Sequence, residues 1–285
     1  MSTCPRLSFE FFPPRDEAQS RRFWRTVGAL EPLAPSYVSL TWGALGSDSR
    51  ASLDALALLD RDTSFEVAAH LSCIGQTADE LRATLDTLEG LGISRIVALR
   101  GDAPDARAAA PDAFRHASEL VSLIATERPH LDISVAAYPE THPEAPSSDD
   151  DLHWLARKLE RGASRAITQF FFEPETFLRW RDRAVRAGID KPLVPGILPV
   201  HDIGRVQRFA SRCGASVPPA LIARFERAAS EAERRSLAVE QCIELCRALG
   251  REGVEELHLY TLNQSSPTHA IASELLGTTA SAVAA

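Results

Sequence analysis

A carboxylate stands in the middle of an apolar run near the N-terminus, Ser8-Phe9-Glu10-Phe11-Phe12-Pro13-Pro14. Strand side chains alternate faces, so Ser8, Glu10 and Phe12 share one side and Leu7, Phe9 and Phe11 the other. Burying an unpaired carboxylate costs several kcal/mol unless it is protonated or hydrogen-bonded. A partly desolvated carboxyl keeps its proton to higher pH and can donate it near neutrality. Glu10 is therefore either a proton donor or a structural carboxylate paired with an Arg or Lys on a neighbouring strand.

Similar residues recur where other apolar runs end: Thr41, His70, Asp102, Tyr138, Gln169 and Asn263. Each has a plain alternative. A strand His can be a hydrogen-bonded core residue, Asp102 can cap the next turn, and Gln169 can satisfy a loop backbone. Their recurrence in one layer predicts a polar-lined pocket. Within Arg100-Gly101-Asp102, Arg100 offers a rigid fork for an anion or a ring carbonyl, and Gly101 permits close backbone approach. Asp151 and Lys158 are seven positions apart and share a helical face, with Arg157 beside them. That face is either an ordinary solvated one or a place for a diphosphate and ribose hydroxyls. Phe209 is either core packing or a cover for a planar ligand.

The elements that must position these residues are short apolar strands alternating with amphipathic helices. The strands are expected at Leu7–Phe12, Tyr37–Trp42, Phe65–Cys73, Arg95–Gly101, Ile133–Tyr138, Ala166–Phe172, Leu193–Pro199 and Leu257–Leu262. Near-continuous apolar runs suit parallel strands covered on both faces. Thr77-Ala78-Asp79-Glu80 reads as a capping box, and Pro174 as a helix start. Eight such repeats in 285 residues predict a single (β/α)8 barrel over residues 1–285. The long interval before the eighth strand predicts an extra helical segment there, broken at Val217-Pro218-Pro219. The rival, a doubly wound dinucleotide fold, lacks its glycine fingerprint, because the first strand runs into Pro13-Pro14.

The net charge of -8 argues against nucleic acid or an anionic membrane as the main partner. Five scattered cysteines without metal-site spacing suit free thiols in a reducing cytosol, and no metal is expected. The N-terminus shows no signal-peptide pattern and no run is long enough to span a bilayer, so a cytoplasmic location is expected.

The stretches SFEFFPP (8–14), VSLTWGA (38–44), AHLSC (69–73), IVALRGD (96–102), ISVAAYPETHPEA (133–145), RAITQFFF (165–172), PGILPV (195–200) and LYTLN (259–263) run in order along the chain. Together they resemble the methylenetetrahydrofolate reductases of one-carbon metabolism, in the bacterial form that is a catalytic barrel alone. The resemblance implies NADH or NADPH as electron donor, non-covalent FAD, a folate substrate, a link to methionine supply and a homotetramer. It implies that Glu10 is the general acid that helps open the folate's bridging ring. Asp102 lies by the flavin and the pterin, Gln169 contacts both substrates in turn, and Phe209 stacks on either. Thr41, Trp42, His70, Arg100, Gly101, Ala117, Tyr138, His142, Asp151, Arg157 and Lys158 match positions that hold FAD. The chain departs from the family pattern in several places. Trp42 stands for a Tyr, His116 for an aromatic near the adenine, and Trp154 for an Asn on the FAD helix. On the folate side, Arg205 stands for a Gln and Gln264 for an Arg that meets the glutamate tail. These departures keep two rivals in play: direct nicotinamide-to-folate hydride transfer without flavin, and a folate-binding barrel with no redox activity.

Overall fold

The computed structural model describes residues 4–42, 49–101, 113–200 and 202–278. Six parallel strands come first: β1 (Arg6–Phe11), β2 (Tyr37–Leu40), β3 (Val67–Ser72), β4 (Arg95–Leu99), β5 (Asp132–Ala137) and β6 (Arg165–Thr168). Two-residue strands β7 (Leu193–Val194) and β8 (Gly196–Ile197) follow, then β9 (Glu256–Tyr260). The sheet order is β7-β6-β5-β4-β3-β2-β1-β9-β8.

The seventh expected strand is split at Pro195. Proline has no N–H for the ladder, so the segment pairs with β6 before it and with β9 after it. The Pro195 carbonyl still accepts from His258 N at 2.9 Å. This one segment joins the two ends of the sheet into a nearly closed barrel of eight strands, as expected.

Helices cover the outside: α1 (Glu17–Leu30), α2 (Ser49–Asp62), α3 (Ala78–Gly90), α4 (Ala117–Glu127), α5 (Ser148–Glu160) and α6 (Pro174–Arg186). The capping box at α3 is present, with Glu80 Oε2 accepting from Thr77 N at 2.8 Å. The interval before β9 holds three helices, α7 (Ile203–Cys213), α8 (Pro219–Arg227) and α9 (Glu231–Arg251), two more than a regular barrel needs. Pro218 caps α8 and Pro219 opens it, which is the expected break. α10 (Ser265–Leu276) follows β9.

The main core lies between strands and helices. The outer face of β1 delivers Leu7, Phe9 and Phe11 to it. A fully buried Phe contributes roughly 1.5–3 kcal/mol, so these side chains pin β1 and with it the opposite, inward face. Inside the barrel Tyr37, Ala68, Val97, Ile167 and Val194 form a plug. At the N-terminal end of the strands Arg165 pairs with Asp132 (3.1 Å) and Glu256 (3.6 Å), and Arg95 with Glu66 (2.7 Å). At the other end Phe170, Phe172 and Leu198 pack under α7 and α8. Chemistry in such a barrel collects at that C-terminal end.

Candidate active site at the barrel mouth

A cavity of about 290 Å³ opens at the C-terminal end of the strands. Five of the expected residues line it: Glu10, His70, Tyr138, Gln169 and Phe209. They come from β1, β3, the ends of β5 and β6, and α7. Phe12, Leu99, Phe170, Leu198 and Cys213 add wall, and His258 and Tyr260 of β9 add two polar groups that sequence reasoning missed. The alternation Leu257-His258-Leu259-Tyr260 carried that signal. The register pairs Ser8 with His258 and Glu10 with Tyr260, so all four share the inward face.

The Glu10 side chain is 12% exposed and lies between two imidazoles. His70 Nε2 is 3.5 Å and His258 Nε2 3.8 Å from Glu10 Oε2. Burial lowers the His70 pKa, against the opposing pull of the Glu10 carboxylate, so this ring is held neutral. The Tyr260 hydroxyl donates to Thr168 O at 2.6 Å, and burial pushes its pKa well up. Gln169 Oε1 accepts from Phe170 N at 3.0 Å. The guanidinium of Arg205, an exposed residue, sits 5.6 Å over the Phe209 ring.

A second group gathers on α5 and the loops beside it. Its inward face carries Leu152, Leu155 and Leu159, with Asp151 and Lys158 flanking them. The solvated-face reading of this pair is therefore wrong. Lys158 Nζ donates to Ala136 O at 2.6 Å, and Ala136 itself lines the cavity. Burial lowers the Lys158 pKa to about 8, against the attraction of Asp151. Asp151 Oδ2 accepts from His142 N at 3.0 Å, and burial raises its pKa despite that bond. His142 meets Tyr138 edge-on at 4.6 Å. Burial lowers its pKa too. Trp154 stacks on His116 at 4.6 Å and 15°, with Arg157 5.8 Å from the Trp154 ring. His116 precedes Ala117, the first residue of α4.

The remaining expected residues are more scattered. Thr41 is buried at the end of β2 with Trp42 after it, and its Oγ1 has no hydrogen-bond partner. Arg100 Nη1 pairs with Glu144 Oε2 at 2.6 Å, and Arg100 Nε donates to Gly101 O. Gly101 has φ +84°, and a Cβ there would come 2.9 Å from Ser72 Cβ, so the position suits glycine. Gln264 caps α10 and does not line the cavity. Asp102 lies outside the described residues. Asn263, expected in the polar layer, turns away: its Oδ1 accepts from Phe12 N (3.0 Å) and its Nδ2 donates to Phe12 O (2.8 Å).

Among the described residues no helix is long and apolar enough to cross a membrane, and no His, Cys, Asp or Glu cluster could hold a metal.

A family model described as Methylenetetrahydrofolate reductase matches residues 2–276. The 5,10-methylenetetrahydrofolate reductase of Escherichia coli (strain K12) is 42% identical over 266 residues, which are 93% of this chain and 88% of that protein. Methylenetetrahydrofolate reductase (NADH) 1 of Arabidopsis thaliana is 31% identical over 90% of this chain and 46% of its own length. Among solved structures, an uncharacterized protein from Clostridium thermocellum that binds two copies of 5-methyl-5,6,7,8-tetrahydrofolic acid has a TM-score of 0.66 at 14% identity, covering 97% of this chain and 96% of that one. At that identity the likeness is one of fold. The match across nearly the whole sequence, with bacterial relatives at 42% identity, places the chain in the methylenetetrahydrofolate reductase family.

Proposed function

We propose that this enzyme reduces 5,10-methylenetetrahydrofolate to 5-methyltetrahydrofolate with NADH or NADPH as donor, non-covalent FAD as intermediary and Glu10 as general acid. One observation carries the reading. A structural Glu10 needed an Arg or Lys beside it. Among the described residues the basic side chains within 4 Å of its carboxylate are two imidazoles, His70 and His258, and no Arg or Lys. A carboxyl with those neighbours, lining a cavity, stands where it can meet a reacting group of the substrate.

The residues around α5 fit a flavin dinucleotide. Lys158 is a cation drawn below its ordinary pKa by burial, with Asp151 as its attracting charge and Ala136 O as its acceptor, so an anionic diphosphate suits it. Thr41 Oγ1 and Arg157 Nε are buried polar atoms without hydrogen-bond partners, consistent with a ligand that supplies them. Thr41, His70, Lys158 and Arg157 would hold the group, and Trp154 would offer a stacking face. A bound flavin would supply the two-electron chemistry that links donor to folate.

Glu10 gives its proton to the bridged ring of the folate, opening it for reduction at the methylene carbon. Phe209 and Gln169 present one wall and one amide to each planar substrate in turn, which suits a ping-pong order. The apolar lining from Phe12, Leu99, Phe170 and Leu198 keeps water from the reacting carbon.

The test is a pair of anaerobic half-reactions on protein loaded with FAD and freed of excess. Retained visible absorbance, reduction by NADH, and reoxidation by methylenetetrahydrofolate are the expected results. Glu10→Gln should spare the first half-reaction and slow the second by about 10²–10⁴-fold. An unchanged second half-reaction would remove Glu10 from the mechanism. Turnover by colourless protein would replace the flavin with direct nicotinamide-to-folate transfer.

A further inference from the structure

The floor of the cavity holds a buried imidazole that this mechanism does not use. His258 is 1% exposed and sits beside Ser8 in the β1–β9 ladder. Its Nδ1 lies 2.8 Å from Ser8 Oγ, and its Nε2 lies 3.8 Å from Glu10 Oε2. Tyr37 stacks on the ring (6.1 Å, 22°) and Tyr260 meets it edge-on (5.3 Å, 86°). Turning the ring over would break the Ser8 contact.

Ser8 decides which nitrogen carries the ring proton. Its hydroxyl has one proton, and Leu257 O at 3.4 Å, His258 Nδ1 at 2.8 Å and the Tyr37 hydroxyl are all in reach. The shorter contact is an ordinary hydrogen bond and the longer is at the limit of one. With the Ser8 proton assigned to the shorter contact, with Nδ1, the ring's own proton is left on Nε2, the nitrogen that faces Glu10.

We propose that His258, oriented by Ser8, is a positioning residue for Glu10, presenting Nε2–H to the carboxylate that forms when Glu10 delivers its proton. In that step the proton passes from the Glu10 carboxyl to the bridging nitrogen of the folate. The bond from that nitrogen to the methylene carbon breaks, and the negative charge stays on Glu10. A shift of roughly 0.8 Å brings Nε2 into hydrogen-bond range, and such contacts tighten in the reacting complex. His70 flanks the other side of the carboxylate from β3. Among the described residues Tyr260 and Tyr37 also face this pair, and the Tyr260 hydroxyl is tied to Thr168 O.

The inference rests on Glu10 as general acid, so the experiment carries Glu10→Gln as its control. FAD-loaded enzyme is followed through both half-reactions, with NADH and then methylenetetrahydrofolate. A hydrogen bond to a charged group contributes enough that its loss slows a step about 10–100-fold. His258→Phe should slow the folate half-reaction by that factor and change reduction by NADH less than about threefold. Its folate-step pH profile should lose its alkaline limb at higher pH than the parent, because the ionised carboxylate has lost a donor. His258→Gln keeps an N–H donor and should recover most of the rate. Ser8→Ala should slow the same step less, and Ser8→Ala with His258→Phe should be no slower than His258→Phe alone. If both half-reactions slow equally, or the pH limb stays in place and Gln does not rescue, the ring is only structural. If His258→Phe does not fold, Ser8→Ala and His258→Gln against the pH profile decide the point. If Glu10→Gln leaves the folate step intact, the general-acid reading itself falls. If Glu10→Gln slows it while the His258 and Ser8 variants do not, only this inference falls.

Discussion

Asn263 holds both backbone polar atoms of Phe12, accepting from its N–H at 3.0 Å and donating to its carbonyl at 2.8 Å. The side chain thus continues the β1–β9 ladder where the backbone of β9 has already turned off. Leu262 and Asn263 both have left-handed backbone angles (φ 48° and 53°), a conformation Asn tolerates better than most residues. Phe12 lines the cavity two positions after Glu10. Asn263→Ala removes two hydrogen bonds and leaves two backbone groups without partners. We expect a loss of about 2–4 kcal/mol, read from the urea midpoint at constant slope. A loss under about 0.5 kcal/mol would show that water takes over both bonds.

That clamp also marks where sequence reading stopped. Apolar runs and their Gly and Pro bounds located all eight barrel strands, because burial on both faces writes itself into residue type. Alternation placed Glu10 on the inward face for the same reason. Asn263 was misplaced because a left-handed turn after β9 re-aims it, and turn angles leave only a faint trace in residue type. His258 and Tyr260 went unnoticed because their meaning depends on register with β1, some 250 positions away. Asp151 and Lys158 were legible as a pair but not as an inward one. The neighbouring Leu152, Leu155 and Leu159 fix which face of α5 turns in, and that spacing was readable.

Lys158 sets a pH dependence with a definite sign. Its folded-state pKa of about 8 lies below the ordinary value of 10.5, because burial disfavours the charged amine. Between those values the unfolded chain binds more protons than the folded one, so stability rises with pH across that window. Below pH 8 both states are protonated and the slope vanishes. Ligand-free wild type should show this rise between about pH 8 and 10.5, and Lys158→Met should lack it; equal slopes in the two proteins would contradict a buried amine. The same variant should hold FAD roughly tenfold to a hundredfold more weakly in equilibrium dialysis, since a charge-assisted bond to the diphosphate is lost.

Trp154 is 39% exposed and already stacks on His116, with Arg157 beside the ring. Little of its surface is core, so Trp154→Ala should change stability by no more than about 0.5 kcal/mol. Aromatic stacking contributes about 0.5–1.5 kcal/mol. We therefore expect FAD affinity to fall about two- to tenfold, measured by the quenching of flavin fluorescence on binding. An unchanged affinity would assign Trp154 to packing against His116 alone.

Gly196 stands where the barrel closes. Its N–H donates to Thr168 Oγ1 at 2.9 Å, on the strand before the split, while Tyr260 donates to Thr168 O from the strand after it. A Cβ at position 196 would lie 2.1 Å from Thr168 O and 2.6 Å from Tyr260 Cε2. The first contact is with backbone, so no rotamer change relieves it; strand β6 or the Pro195 segment must move. Overpacking of this kind costs about 1–3 kcal/mol or more, and the Tyr260 ring that lines the cavity would be displaced with it. Gly28, in the last turn of α1, is not among the positive-φ glycines, and a Cβ added there would meet nothing within 4 Å. There Ala stabilises by about 0.5–1 kcal/mol. Gly196→Ala should lower the denaturation midpoint and impair the folate half-reaction, while Gly28→Ala should raise the midpoint and leave the reaction alone. Were Gly196→Ala as stable and active as the parent, the closure through Thr168 would not have the close approach described.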